Sequence, residues 1–74
     1  QKGLAAAQNR LAHVYVEGVG VEKDKQEAAK WRLIAKAGGM QDPELDAIID
    51  ELPKEQQIAA HKAADEWRTR AGFF

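Results

Sequence analysis

Apolar residues recur at helical steps in four stretches of the chain. Leu4, Ala7, Leu11, Val14 and Tyr15 follow one another at three- and four-residue intervals, which predicts an amphipathic helix over 4–17. Gly18 is placed to stop that helix in a left-handed conformation, and Val19 to make the apolar contact that often accompanies such a stop. Gly20 and Val21 continue the connection. Asp24, with Glu27 three residues later, then reads as a capping-box start. Ala28, Trp31, Ile34 and Ala35 form the stripe of a second helix over 25–37, closed by Gly38-Gly39. The connection of seven residues suits an antiparallel pair.

Asp42-Pro43 opens a third helix, with Asp as the cap and Pro in the first helical position. Leu45, Ile48, Ile49 and Leu52 carry its stripe, over 43–52. Pro53 starts a fourth helix, because Lys54 to Arg70 holds no breaker. Its expected extent is 54–70, with Ile58, Ala60, Ala63, Ala64, Trp67 and Ala71 facing inward and Glu66–Arg70 paired on the surface. Gly72 ends it. Val14-Tyr15-Val16 is the one β-prone triplet, and it lies inside a helical pattern. The expected class is all-α, and the many Ala-Ala pairs favour both helix and close helix approach.

An offset of 36 residues maps part of the chain onto itself. Ala28-x-x-Trp31-Arg32-x-x-Ala35 recurs as Ala64-x-x-Trp67-Arg68-x-x-Ala71. The second copy is degenerate: Leu52-Pro53 replaces Gly18-Val19-Gly20-Val21, Glu51 falls opposite Tyr15, and Ala47 opposite Leu11. A helix pair cannot bury its stripe alone, so such pairs stack, and an atypical last pair with a polar outer face ends the stack. Residues 1–39 read as one repeat and 40–74 as a capping pair, within one domain.

Charge and composition narrow the function. The chain has 74 residues, with 11 Lys and Arg against 12 Asp and Glu, a net charge of -1. That balance lacks the basic excess that phosphate binding needs, so no nucleic-acid partner is expected. No apolar run spans a membrane. With no cysteine there is neither a disulfide framework nor a cysteine zinc site, and the compartment stays open between cytoplasm and periplasm. The start at Gln1, without a leader pattern, reads as a piece of a longer protein.

No residue set points to catalysis. His13 and His61 are isolated; Arg10 and Glu17, one turn either side of His13, mark a solvated helix face. Asp42, Glu44, Asp46, Asp50 and Glu51 read as a solvated helix face rather than a calcium loop, which needs alternate oxygens with a turn glycine; here Pro43 and the apolar stripe place the acids on one side of a helix. Gly18-x-Gly20 follows a helix, not a strand, and lacks a third glycine. Trp31 and Trp67 read as core, and Tyr15 as a packing residue. The expectation is a non-enzyme with no cofactor and no metal.

Gly3, Ala7-Gln8, Leu11, Tyr15, Gly18-Val19-Gly20-Val21, Asp24, Ala28, Trp31, Ala35 and Gly39 resemble the pattern of the Sel1-like repeats, relatives of the tetratricopeptide repeats. The tail from Leu52-Pro53-Lys54 through Trp67 resembles the closing helix of alphaproteobacterial members. Ala12 stands where the family has Gly, Arg32 where an aromatic follows the Trp, Lys36 where a small residue is usual, and Gly38 where Gln is usual.

The resemblance implies a right-handed α-α superhelix fragment, with Gly3, Ala7, Leu11, Tyr15, Gly18, Gly20, Asp24, Ala28, Trp31, Ala35, Gly39, Ala64, Trp67 and Ala71 as structural positions. It implies a scaffold or adaptor that binds a protein or peptide on its concave face. Asn9, Arg10, His13, Val16 and Glu17, which the motif leaves unfixed on the first helix, are the candidate partner contacts. The alternative is a purely structural C-terminal cap of a longer solenoid, in the setting of a periplasmic regulator of a sensor kinase or of exopolysaccharide synthesis. The N-terminal edge, with Leu4 and Ala5, leaves room for pairing with another chain.

Overall fold

The computed structural model describes the backbone of residues 2–71 and the side chains of 4–70. Four helices run through them: α1 (Lys2–Glu17), α2 (Lys25–Ala37), α3 (Pro43–Asp50) and α4 (Lys54–Ala71). No strand occurs among the described residues. The second helix has the expected bounds. The first begins two residues early, the fourth runs one residue longer, and α3 ends at Asp50 rather than at 52. Phe73-Phe74 and Gly72 lie outside the described residues.

The caps follow the side-chain chemistry. Asp24 accepts a hydrogen bond from the Glu27 amide at 3.0 Å, and Asp42 from the Leu45 amide at 3.1 Å with Pro43 behind it. The reciprocal half of the capping box is missing at α2, because the Asp24 amide bonds the Tyr15 carbonyl instead. Glu27 turns the other way, accepting from Trp31 Nε1 at 3.2 Å and pairing with Lys30 at 2.8 Å. Gly18 stops α1 with φ +73, and the amides of Gly18 and Val19 both reach the Val14 carbonyl. Val19 is 64% exposed rather than buried against the helix end. At the end of α2, Gly39 (φ +95) lets its own amide bond Lys36 and that of Met40 bond Ala35, a Schellman arrangement.

Helix α2 is the hub. It packs along α1 on one side and α4 on the other, and touches α3 more lightly. Small residues permit this. Ala28, Ala29 and Ala35 are fully buried on α2, facing Ala5 and Ala12 on α1 and Ala60 and Ala64 on α4, all buried too. Gly38 belongs to the same close approach: a Cβ there would sit 3.1 Å from the Ala5 Cβ. Ala12 has no exposed surface. The core gathers Ala29, Ile49 and Ala60, with Leu33 and Leu52 against it.

Two inward faces differ from expectation. On α1 the buried residues are Ala5, Gln8, Asn9 and Ala12, while Leu4 and Leu11 are each 39% exposed, Ala7 is exposed, and Val14 and Tyr15 are half-buried. The small face wins the contact with α2 because only it brings the backbones close. On α4, Ala60 and Ala64 face in, Ala63 and Trp67 are half-buried, and Ile58 is exposed. The ion pair of α4 is Asp65–Arg68 at 3.8 Å rather than the expected Glu66–Arg70. Trp31 and Trp67 are not sealed core residues. They meet edge to face at 5.3 Å and 69°, half-buried, with Lys30 Nζ 4.6 Å from the Trp31 ring centre.

Gly18→Ala tests the first stop. The new Cβ would lie 2.7 Å from Lys23 Cγ in a left-handed conformation, so urea denaturation should show a loss of about 1–2 kcal/mol.

Candidate functional site

The largest concentration of polar chemistry lies where α1, α2 and α3 meet. Arg32 sits on the apolar stripe of α2 between Ala28 and Ala35, and no part of it is exposed. Its Nε donates to Asp46 Oδ1 at 2.8 Å, with Nη2 at 3.5 Å from Oδ2, so the guanidinium grips the α3 carboxylate side-on. Its Nη1 donates to Asn9 Oδ1 at 2.8 Å. The Asn9 amide nitrogen in turn donates to Asp42 Oδ2 at 2.8 Å. His13 Nε2 lies 2.8 Å from the same oxygen. An ionised carboxylate only accepts, so His13 Nε2 carries the proton of this contact and Nδ1 faces Glu17, 3.9 Å away.

Asp42 therefore serves two helices. One oxygen caps α3 through the Leu45 amide; the other gathers Asn9 from a buried turn of α1 and His13 from the turn after it. Burial pushes its pKa up, but the hydrogen bonds from Asn9, Leu45 and His13 and the charge of His13 outweigh that, and it falls from 3.8 to about 2. No buried side-chain nitrogen or oxygen among the described residues lacks a hydrogen-bond partner. A buried charge is tolerated only on those terms.

This geometry relocates several expected residues. Asn9 is 5% exposed with both ends of its amide engaged, so it is a structural bridge and not a surface contact. His13 is not simply a solvated position; its ring is tied to α3 with its side chain 42% exposed. Asp42 and Asp46 turn inward, whereas Glu44, Asp50 and Glu51 of the same acidic run stay exposed. Val16 is half-buried. Arg10 and Glu17 are exposed on α1, two turns apart and hence on one side of it.

Beside them runs a shallow apolar depression lined by Ala6, Ala7, Arg10, Leu11 and Val14. Arg10 has no ion pair among the described residues, unlike Arg32 and Arg68. No group of three or more His, Cys, Asp or Glu able to hold a metal is found among the described residues. No described helix is long and apolar enough to cross a membrane.

The signal for the polar bridge was present in the sequence. An arginine interrupts an otherwise apolar stripe at 32, and two aspartates stand one turn apart at 42 and 46. Their pairing needed the fold, since the partners lie 14 and 23 residues from Arg32.

Two measurements probe the bridge. Arg32→Ala should cost about 3 kcal/mol in urea denaturation, because it removes a buried partner of Asn9 and Asp46, whereas Arg68→Ala should cost less than about 0.5 kcal/mol. The lowered pKa of Asp42 contributes stability that is complete above its unfolded value and lost as pH falls through its folded value. Stability should therefore drop by about 2 kcal/mol between pH 4 and pH 2, and Asp42→Asn should flatten that part of the profile. Comparison with family models, with curated proteins and with solved structures returns no match for this chain.

Proposed function

We propose that this chain is a protein-interaction module of Sel1-like type, a helical-repeat segment that presents the outer flank of α1 to a partner protein or peptide. The observation that carries the reading is the strip on α1: an apolar depression with Leu11 exposed along it. At its side stands the Arg10 guanidinium, which has no ion pair among the described residues. Single exposed apolar residues are ordinary on a protein surface, but a run of them along one helix face beside such a cation is what a docking surface offers. Leu4, Ala7, Leu11 and Val14 obey helical spacing without being fully buried against this chain's own helices.

The repeat reading has support of its own. Trp31 and Trp67, equivalent under the 36-residue offset, pack against each other, and α2 meets α4 through buried alanines on both sides. Stacked pairs in a right-handed superhelix would produce such a contact between equivalent positions. Within that arrangement Arg10 and Glu17 remain partner contacts, His13 stands at their edge, and Leu11 and Val14 join them.

Photo-crosslinking from position 11 or 14 of the protein, read by mass spectrometry, tests the reading. A discrete crosslinked protein is expected from both positions and not from Ala47 on α3. Arg10→Glu should weaken its capture about tenfold while leaving stability within about 0.5 kcal/mol. Crosslinks from neither position would remove the docking strip and leave the capping role.

A further inference from the structure

The attachment of α3 differs in kind from that of the other helices. It has eight residues, of which Leu45 and Ile49 are buried. An isolated helix of that length does not hold itself together in water. What fixes its N-terminal half is one buried leucine, Leu45, and a set of polar bonds: Asp46 on Arg32, and Asp42 on Asn9 and His13. Asp46 is one-third exposed, so water reaches this latch from one side.

The two ends of α3 are held differently. Before it, Gly38-Gly39 joins α2 to a short extended lead, and Gly39 has open space on the side where a Cβ would stand. After it, the Gln57 side-chain amide on α4 donates to the carbonyls of Asp50 at 3.2 Å and Leu52 at 2.8 Å, tying down the C-terminal end. Ile49 sits at that tied end, against Ala29 and Ala60.

We infer that α3 is a strap: its N-terminal half lifts and unwinds from the Gly38-Gly39 connection when the Asp46–Arg32 and Asp42–Asn9–His13 bonds break, while α1, α2 and α4 stay packed. The balance of contacts sets this order. Lifting breaks an ion pair that is open to water on its Asp46 side, breaks the Asp42 bonds to Asn9 and His13, and exposes one buried leucine, whereas separating α2 from α1 or α4 exposes the close-packed alanine interface. The groups released, the Arg32 guanidinium and the Asn9 carboxamide, gain water in exchange, so the opened state carries no unpaired buried charge. The strap is independent of the docking strip on α1.

Native-state hydrogen exchange on the intact chain tests this, read through a series of low urea concentrations. The amides of Leu45 and Asp46, both bonded to Asp42, should exchange at least about tenfold faster than those of Ile34 and Ala35 in α2, with almost no urea dependence, while the α2 amides accelerate with urea. Asp46→Asn removes a contact that both openings lack, so it should speed α3 and α2 exchange by the same factor, about tenfold; Ala12→Gly, in the α1–α2 interface that stays packed, should speed α2 about fivefold and leave α3 nearly unchanged. If α3 and α2 exchange at one rate with one urea slope, the two open together and there is no strap. Equal acceleration of both helices by Ala12→Gly would overturn the strap as well. Because the urea series on the unaltered chain decides by itself, a variant that failed to fold would not block the test.

Discussion

One fully buried guanidinium joins three of the four helices. Arg32 leaves α2, takes the α3 carboxylate of Asp46 with one edge, and reaches the α1 carboxamide of Asn9 with the other. Burying that charge costs several kcal/mol unless it is paired and its donors are met, so the position of α3 relative to α1 follows from the need to satisfy it. Asn9 bridges because its two polar ends are divided between partners, the oxygen toward the cation and the nitrogen toward Asp42. The network is closed, with every member bonded to another or to a helix end, and such networks specify one arrangement more strictly than apolar contact does.

The alanine interfaces supply the complementary constraint. Ala5, Ala12, Ala28, Ala29, Ala35, Ala60 and Ala64 bring three helices close together, with few large side chains among them. Their packing is dense but each buries little area, so the net hydrophobic contribution per residue is small. The larger apolar groups sit at the margins: Leu45 and Ile49 beneath α3, and the Trp31–Trp67 pair between α2 and α4. A chain this short has only a marginal core, which makes the polar bridge and the helix stops count for a large share of its stability.

The same constraint explains why the leucines of α1 point outward. An α-helix has one face for each neighbour. The face that meets α2 is taken by Ala5, Gln8, Asn9 and Ala12, since those residues fit between close backbones and connect to the bridge. Leu4 and Leu11 are left on another face, beside Arg10. A surface apolar strip here is thus a by-product of how α1 packs.

Local chemistry was legible from residue order alone. Asp24, Asp42-Pro43, Gly18 and Gly39 act within a few residues of themselves, so the helix bounds and stops were readable to within two residues. The all-helical class was readable for the same reason, since period and propensity are local quantities. Which stripe turns inward was not local. On α1 two stripes obey the same spacing, and the choice between them depends on the size of residues on α2, far along the chain. The polar bridge was further from reach. The aspartates at 42 and 46 read as part of a solvated face, and the arginine at 32 only as a departure from a repeat pattern, until α2 and α3 are placed side by side; only then do they form the joint that holds the helices in register.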